Sequence, residues 1–169
     1  MQSINKYKPN LFMGVPAMYA AIAMRDSRDY DLSSIRACVS GSSPLPPAVQ
    51  EKFQQVTGGK LVEGYGLSEC SPIVTVTPIY GTVKPGSIGV PIADTQVKIV
   101  DPQTGAEITT SGEIGELLVK GPQVMQGYWN NPAETELVLT DDGWLHTGDL
   151  VYMDDDGYIF IADRLKDMI

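Results

Sequence analysis

Apolar and polar positions change their period along this chain, and the change divides it. Residues 15–25 are dominated by Ala, Met and Ile, and Pro16 can fill a first helical turn, so a helix lying against a sheet is expected there, after an extended start at 10–12. Ile35, Ala37 and Val39 alternate with Arg36 and Cys38, the two-residue period of a strand, and lead directly into Ser40-Gly41-Ser42-Ser43-Pro44. Pro46 and Pro47 then open a helix whose Val49, Phe53 and Val56 share a face, and Gly58-Gly59 close it. Residues 60–63 read as a second short strand feeding a loop at Gly64. If these two strands are parallel neighbours, both loops leave the carboxyl end of a sheet, where open α/β folds bind ligands.

From about residue 82 the pattern shortens. Residues 95–100 alternate, Asp101-Pro102-Gln103-Thr104-Gly105 turns, and 116–120 follow the turn Gly112-Glu113-Ile114-Gly115. One helix interrupts them, with Asn131 as N-cap, Pro132 at the first position and Glu134 in the outline of a capping box. A hairpin is expected at Asp156-Gly157. The expected class is α/β: strand-helix units of a partly complete sheet over 1–80, followed by a small distorted β-barrel subdomain over 81–169.

Composition narrows the function classes. With 43% hydrophobic and 20% charged residues the chain can bury a substantial core, and its net charge of -9 argues against a nucleic-acid or anionic-membrane footprint. No apolar run approaches the roughly 20 residues of a spanning helix, so there is no transmembrane segment to expect, and the start lacks a signal peptide's pattern. The expected compartment is the cytoplasm, with at most peripheral membrane association. Cys38 and Cys70 lack metal-ligand spacing and are expected to be reduced, Cys38 as a small buried hydrophobe. Asp154-Asp155-Asp156-Gly157 lacks the alternating ligands and later glutamate of a calcium loop and reads as a hairpin tip; His146, the single histidine, reads as structural.

The strongest chemical signal is Glu63-Gly64-Tyr65-Gly66-Leu67-Ser68-Glu69. Glycines let backbone approach a planar ligand, tyrosine offers a flat face, serine can meet phosphate and glutamate can bind magnesium. Alone, the same residues also describe a tight turn with a solvated carboxylate. Its companions are Ser40-Gly41-Ser42-Ser43-Pro44-Leu45, Trp144-Leu145-His146-Thr147-Gly148-Asp149 and Asp163-Arg164-Leu165-Lys166-Asp167-Met168-Ile169.

This ordered series resembles the adenylate-forming (AMP-binding) superfamily of acyl-CoA synthetases, luciferases and peptide-synthetase adenylation domains, and is most similar to long-chain fatty acid CoA ligases. The resemblance implies that Ser42, Ser43 and Pro44 line adenine, that Tyr65 stacks on the ring, and that Gly64 and Gly66 permit close approach. Ser68 stands where the family usually has threonine and keeps a hydroxyl for the α-phosphate; Glu69 would hold magnesium. Asp149 and Arg164 match the residues that hydrogen-bond the ribose hydroxyls, and the bland alternative for them is a surface ion pair. Lys166 matches the hinge residue, and Gly41, Gly64, Gly66 and Ile73 would border the acyl group.

By the same resemblance the substrates are a fatty or related carboxylic acid, ATP and coenzyme A, with AMP and Mg2+ at the site. The family's Ser/Thr/Gly-rich phosphate loop and C-terminal lysine domain have no counterpart here, so the chain is expected to be a piece of the ligase and inactive alone. Two alternatives stand beside that reading: a non-catalytic binding or assembly module that self-associates through a truncated face, and a piece of an aryl-CoA or carrier-protein-loading ligase.

Overall fold

The computed structural model describes residues 1–165. Its first half follows α1 (Gln2–Tyr7), β1 (Leu11–Gly14), α2 (Pro16–Ala23), β2 (Ala37–Ser40), α3 (Pro47–Thr57) and β3 (Lys60–Gly66). The strands β1, β2 and β3 are parallel neighbours, and Gly14 and Ser40, at the carboxyl ends of β1 and β2, stand in register with Glu63 of β3. Helix α3 begins with Pro47, whose fixed φ suits a first turn, and ends where Gly58 adopts a left-handed φ of 74° and its N–H bonds to the Gln54 carbonyl. Its Phe53 is fully buried against Tyr19 of α2, the rings meeting edge to face at 5.0 Å. Tyr19 in turn donates to the carbonyls of Phe12 (3.0 Å) and Val39 (2.8 Å), so a buried hydroxyl is satisfied where α2 crosses β1 and β2.

Two expectations shift here. Strand β2 starts at Ala37 and buries Ala37, Cys38 and Ser40 alike, because helices or loops cover both faces and alternation has no exposed side to mark. Strand β3 runs on through Gly66, so Gly64-Tyr65-Gly66 is extended backbone paired with the next strand instead of a loop.

The second half contributes β4 (Ile73–Val76), β5 (Ser87–Pro91), β6 (Gln96–Val100), β7 (Glu107–Ile108), β8 (Gly115–Lys120), α4 (Pro132–Val138), β9 (Leu145–Met153) and β10 (Ile159–Arg164). The α/β class is as expected, but the barrel is not. All ten strands form one open sheet, ordered β1-β2-β3-β4-β5-β10-β9-β8-β6-β7. Closure fails because β7 offers two residues and pairs with β6 alone, leaving β1 and β7 as separate edges. The sheet is continuous across residue 80, since β4 pairs with β3 on one side and β5 on the other.

Two apolar clusters flank this sheet. One joins Tyr19, Ile35, Cys38, Phe53 and Leu61; the other joins Cys70, Val74, Ile88, Leu117, Val119, Leu145, Val151 and Ile159. Burial pushes both Cys38 and Cys70 thiols up to about 11, and both are free, so they sit as neutral small side chains. Asn131 caps α4 by accepting from the Glu134 N–H at 3.4 Å, while Glu134 makes no return bond among the described contacts. Asp154 shapes the β9–β10 hairpin by accepting from the Asp156 and Tyr158 N–H groups, and Lys84 pairs with Asp154 and, at 2.6 Å, with Asp156. Among the described residues no helix is long and apolar enough to cross a membrane.

Candidate functional site

The carboxyl ends of β2 and β3 bring the first two motifs together. The Gly41 N–H donates to the Gly14 carbonyl at 3.1 Å, and a Cβ on Gly41 would lie 3.5 Å from the Gly64 carbonyl oxygen. Ser42 takes a left-handed φ of 72°, turning the chain so that Ser42, Ser43 and Pro44 stand exposed at the sheet's end. The returning chain is tied down where the Leu45 N–H donates to Glu63 Oε1 at 3.3 Å. Partial burial raises the Glu63 carboxyl above its ordinary range, opposed by that bond. Beside it, the buried Ser40 hydroxyl has no hydrogen-bond partner among the described residues.

Three residues distant in sequence meet next to this loop. Asp149 on β9 faces Arg164 on β10 in register, and Tyr65 reaches Asp149 from β3. The Tyr65 hydroxyl donates to Asp149 Oδ2 at 2.5 Å and Arg164 Nε donates to Oδ1 at 2.8 Å. Asp149 is only 3% exposed, a position that a carboxylate holds only with such donors. Burial first, then the Asp149 contact, raises the Tyr65 hydroxyl far above the usual tyrosine value, keeping it a neutral donor. The Arg164 side chain remains 67% exposed, so the bland surface pair is half right: one partner is wet and the other is dry.

The stretch after β3 turns through a short 3-10 segment, Ser68–Cys70, that exposes Ser68 and buries Cys70. Glu69, half-buried between them, accepts from the Tyr128 hydroxyl at 2.7 Å through Oε1, and its carbonyl accepts from the Met125 N–H at 2.7 Å. Gly64 and Gly66 answer to the protein's own packing. A Cβ on Gly66 would fall 1.7 Å from the Pro72 carbonyl oxygen, and one on Gly64 would strike Val39 at 2.8 Å. Ile73, opposite Gly66 in the β3–β4 pairing, is half-buried. Among the described residues no three His, Cys, Asp or Glu side chains cluster as a metal cage. A single carboxylate with an oxygen left over still fits magnesium, which usually takes one or two carboxylates together with substrate phosphates.

His146 bonds through Nδ1 to Glu116 Oε2 at 2.9 Å, while Glu116 Oε1 accepts from the Gly148 N–H at 3.0 Å, so this buried glutamate shapes the approach to Asp149. Lys166 lies outside the described residues. A groove of about 400 Å³ between β6–β7 and the β9–β10 hairpin, lined by Ile99, Ile108 and Met153, holds none of the motif residues. Sequence reasoning missed Tyr128, Glu116 and the bracing role of Glu63. A signal existed for two of them: a carboxylate at the head of the apolar run 116–119, and adjacent aromatics Tyr128-Trp129 in a polar loop.

Residues 1–129 match the family of AMP-binding enzymes. The whole chain is 54% identical to a long-chain-fatty-acid–CoA ligase of Bacillus subtilis and 42% identical to one of Salmonella typhimurium, covering 30% of each protein. Among solved structures, it is similar to an anthranilate CoA ligase in complex with anthranoyl-AMP, at TM-score 0.86 and 35% identity, over 99% of this chain and 32% of that one. A long-chain-fatty-acid-CoA ligase from Archaeoglobus fulgidus matches at TM-score 0.86 and 26% identity, over 97% of this chain and 36% of that one. The chain thus spans about a third of the length of these relatives. On the match of its first 129 residues and its identity to curated relatives, this chain belongs to the AMP-binding enzyme family.

Proposed function

We propose that this chain supplies the adenylate-holding face of a ligase that converts long-chain fatty acids to acyl-CoA through acyl-AMP. The observation that carries the proposal is the buried Asp149 carboxylate, reached by Tyr65 and Arg164 from different strands beside the exposed Ser42–Ser43–Pro44 turn. A carboxylate and a guanidinium side by side offer an acceptor and a donor to a ribose diol. The turn offers backbone groups to adenine, and Tyr65 a ring fixed at its hydroxyl end. Ser68, exposed at the following turn, reaches toward the α-phosphate, and Gly41 and Ile73 border the acyl chain.

In the reaction a fatty carboxylate oxygen attacks the α-phosphorus of ATP, the α–β phosphoanhydride bond breaks, and pyrophosphate leaves. The thiol of coenzyme A then attacks the acyl carbonyl, and AMP departs with the C–O bond electrons. No side chain here forms a covalent intermediate; these residues bind and orient. Glu69 would hold magnesium, which offsets phosphate charge when bound. The identity to the Bacillus subtilis ligase supports a fatty over an aryl acid, since a 4-coumarate-CoA ligase of Narcissus pseudonarcissus matches at 37%.

Calorimetric titration with a non-hydrolysable fatty acyl-AMP mimic and magnesium tests this. Saturable binding that is lost in Asp149→Ala supports it, whereas a folded chain that releases no heat with the mimic overturns it. A second reading, an assembly module, is favoured by one observation: Leu11 and Met13 on the edge strand β1 are 62% and 55% exposed. Size-exclusion elution that shifts with concentration supports that reading.

A further inference from the structure

The loop before α4 reaches back to the turn that carries Glu69, over a separation of 59 residues. Its contact is double. The Met125 N–H holds the Glu69 main chain at 2.7 Å, and the Tyr128 hydroxyl holds the carboxylate itself at 2.7 Å. Tyr128 is fixed in turn, because its N–H donates to Thr135 Oγ1 at 2.9 Å, and that hydroxyl donates to the Asn131 carbonyl at 3.0 Å. The fit is close, since a Cβ on Gly127 would lie 2.9 Å from Thr135 Cγ2. A continuous chain of contacts therefore runs from α4 to one carboxylate oxygen.

Core packing does not require this arrangement. Helix α4 buries no residue, and Tyr128 is 38% exposed, so the hydroxyl gives up water to bond a carboxylate that is itself only half-buried. A contact between two half-wet groups adds little to stability. Its effect falls on Glu69, which loses rotamer freedom while keeping Oε2 and a second lone pair on Oε1 for a cation.

We infer that Tyr128 is a positioning residue that presets the Glu69 carboxylate for a divalent cation arriving with nucleotide phosphate. The inference rests on the adenylate-site reading of Glu69. Preordering one rotamer-rich side chain is worth about threefold to tenfold in affinity, and that gain belongs to the metal-dependent part of binding alone. Thr135→Val acts in the same direction through the Tyr128 main chain.

The test compares the intact chain with Tyr128→Phe by calorimetry, using AMP without metal and a non-hydrolysable ATP analogue with increasing Mg2+. The expected result is unchanged AMP affinity and unchanged melting, with the magnesium needed for half-maximal analogue binding raised about threefold to tenfold. An unchanged magnesium requirement in Tyr128→Phe, with AMP still bound, overturns this inference and leaves the adenylate site standing. Equal loss of metal-free AMP binding assigns Tyr128 a general structural role and also overturns it. Failure of the unmodified chain to bind AMP overturns the adenylate-site reading and this inference with it.

Discussion

Tyr65→Phe removes one oxygen from a place where little water can replace it. Asp149 is 3% exposed and accepts at Oδ2 from the Tyr65 hydroxyl and at Oδ1 from Arg164 Nε. Deleting the hydroxyl leaves Oδ2 facing a phenyl ring, and loss of a hydrogen bond to a charged group costs about 1.5–3 kcal/mol. For a domain of this size that corresponds to a melting temperature lower by about 3–12 °C. The assay is urea denaturation followed by fluorescence, in which the midpoint falls with an unchanged slope. Asp149→Leu alone strands the Tyr65 hydroxyl, while Tyr65→Phe with Asp149→Leu removes both polar partners and leaves Arg164 hydrated. The double variant therefore costs less than the sum of the singles by at least about 1 kcal/mol. A Tyr65→Phe loss under about 0.5 kcal/mol, or additivity within that margin, would show that Asp149 is hydrated and refute the buried-carboxylate argument.

Glu63→Gln keeps an acceptor for the Leu45 N–H and removes a carboxyl whose folded pKa is raised by burial. A raised value means that the wild-type contribution is complete below the unfolded value of about 4.3 and is lost as pH rises through the folded one. Glu63→Gln is thus expected to gain stability over wild type with rising pH, and the two should converge in acid; melting curves from pH 3.5 to 8 read this directly. Gly66→Ala sets a Cβ 1.7 Å from the Pro72 carbonyl oxygen and should cost at least about 3 kcal/mol or abolish folding. Gly58→Ala, at φ 74° with open space around it, should cost only about 1–2 kcal/mol in the same denaturation assay. Tyr19→Phe strands two carbonyls at the β1–β2 crossing and should cost about 1–3 kcal/mol, measured as a lower urea midpoint.

Local periodicity and punctuation made much of the first half legible. The prolines at 16 and 47, Gly58 and the i, i+4, i+7 spacing of Val49, Phe53 and Val56 each act within a few residues, so α2 and α3 could be read without the fold. The Asn131 cap and the Asp156-Gly157 hairpin belong to the same class. The four motifs were equally visible as residue strings, and their order carried the family resemblance. Strand ends and sheet closure were less legible. Strand β3 runs to Gly66 because β4 offers a partner, and the sheet stays open because β7 is two residues long and paired on one side only. Both outcomes depend on pairing between segments, which no window of sequence contains.

What the sequence determined by itself was therefore the local inventory: the four motif strings and the helices α2, α3 and α4. The tertiary structure alone decided which of those groups meet. Tyr65 finds Asp149 across 84 residues, Glu69 finds Tyr128 across 59, and the buried Glu116 pairs with a lone, partly exposed histidine. Only tertiary packing, too, made Gly66 a requirement of the β3–β4 contact. Burial and long-range hydrogen bonding arise from the whole chain excluding water at once, so a charge such as Asp149 acquires its dry surroundings and its donors only when the sheet is assembled.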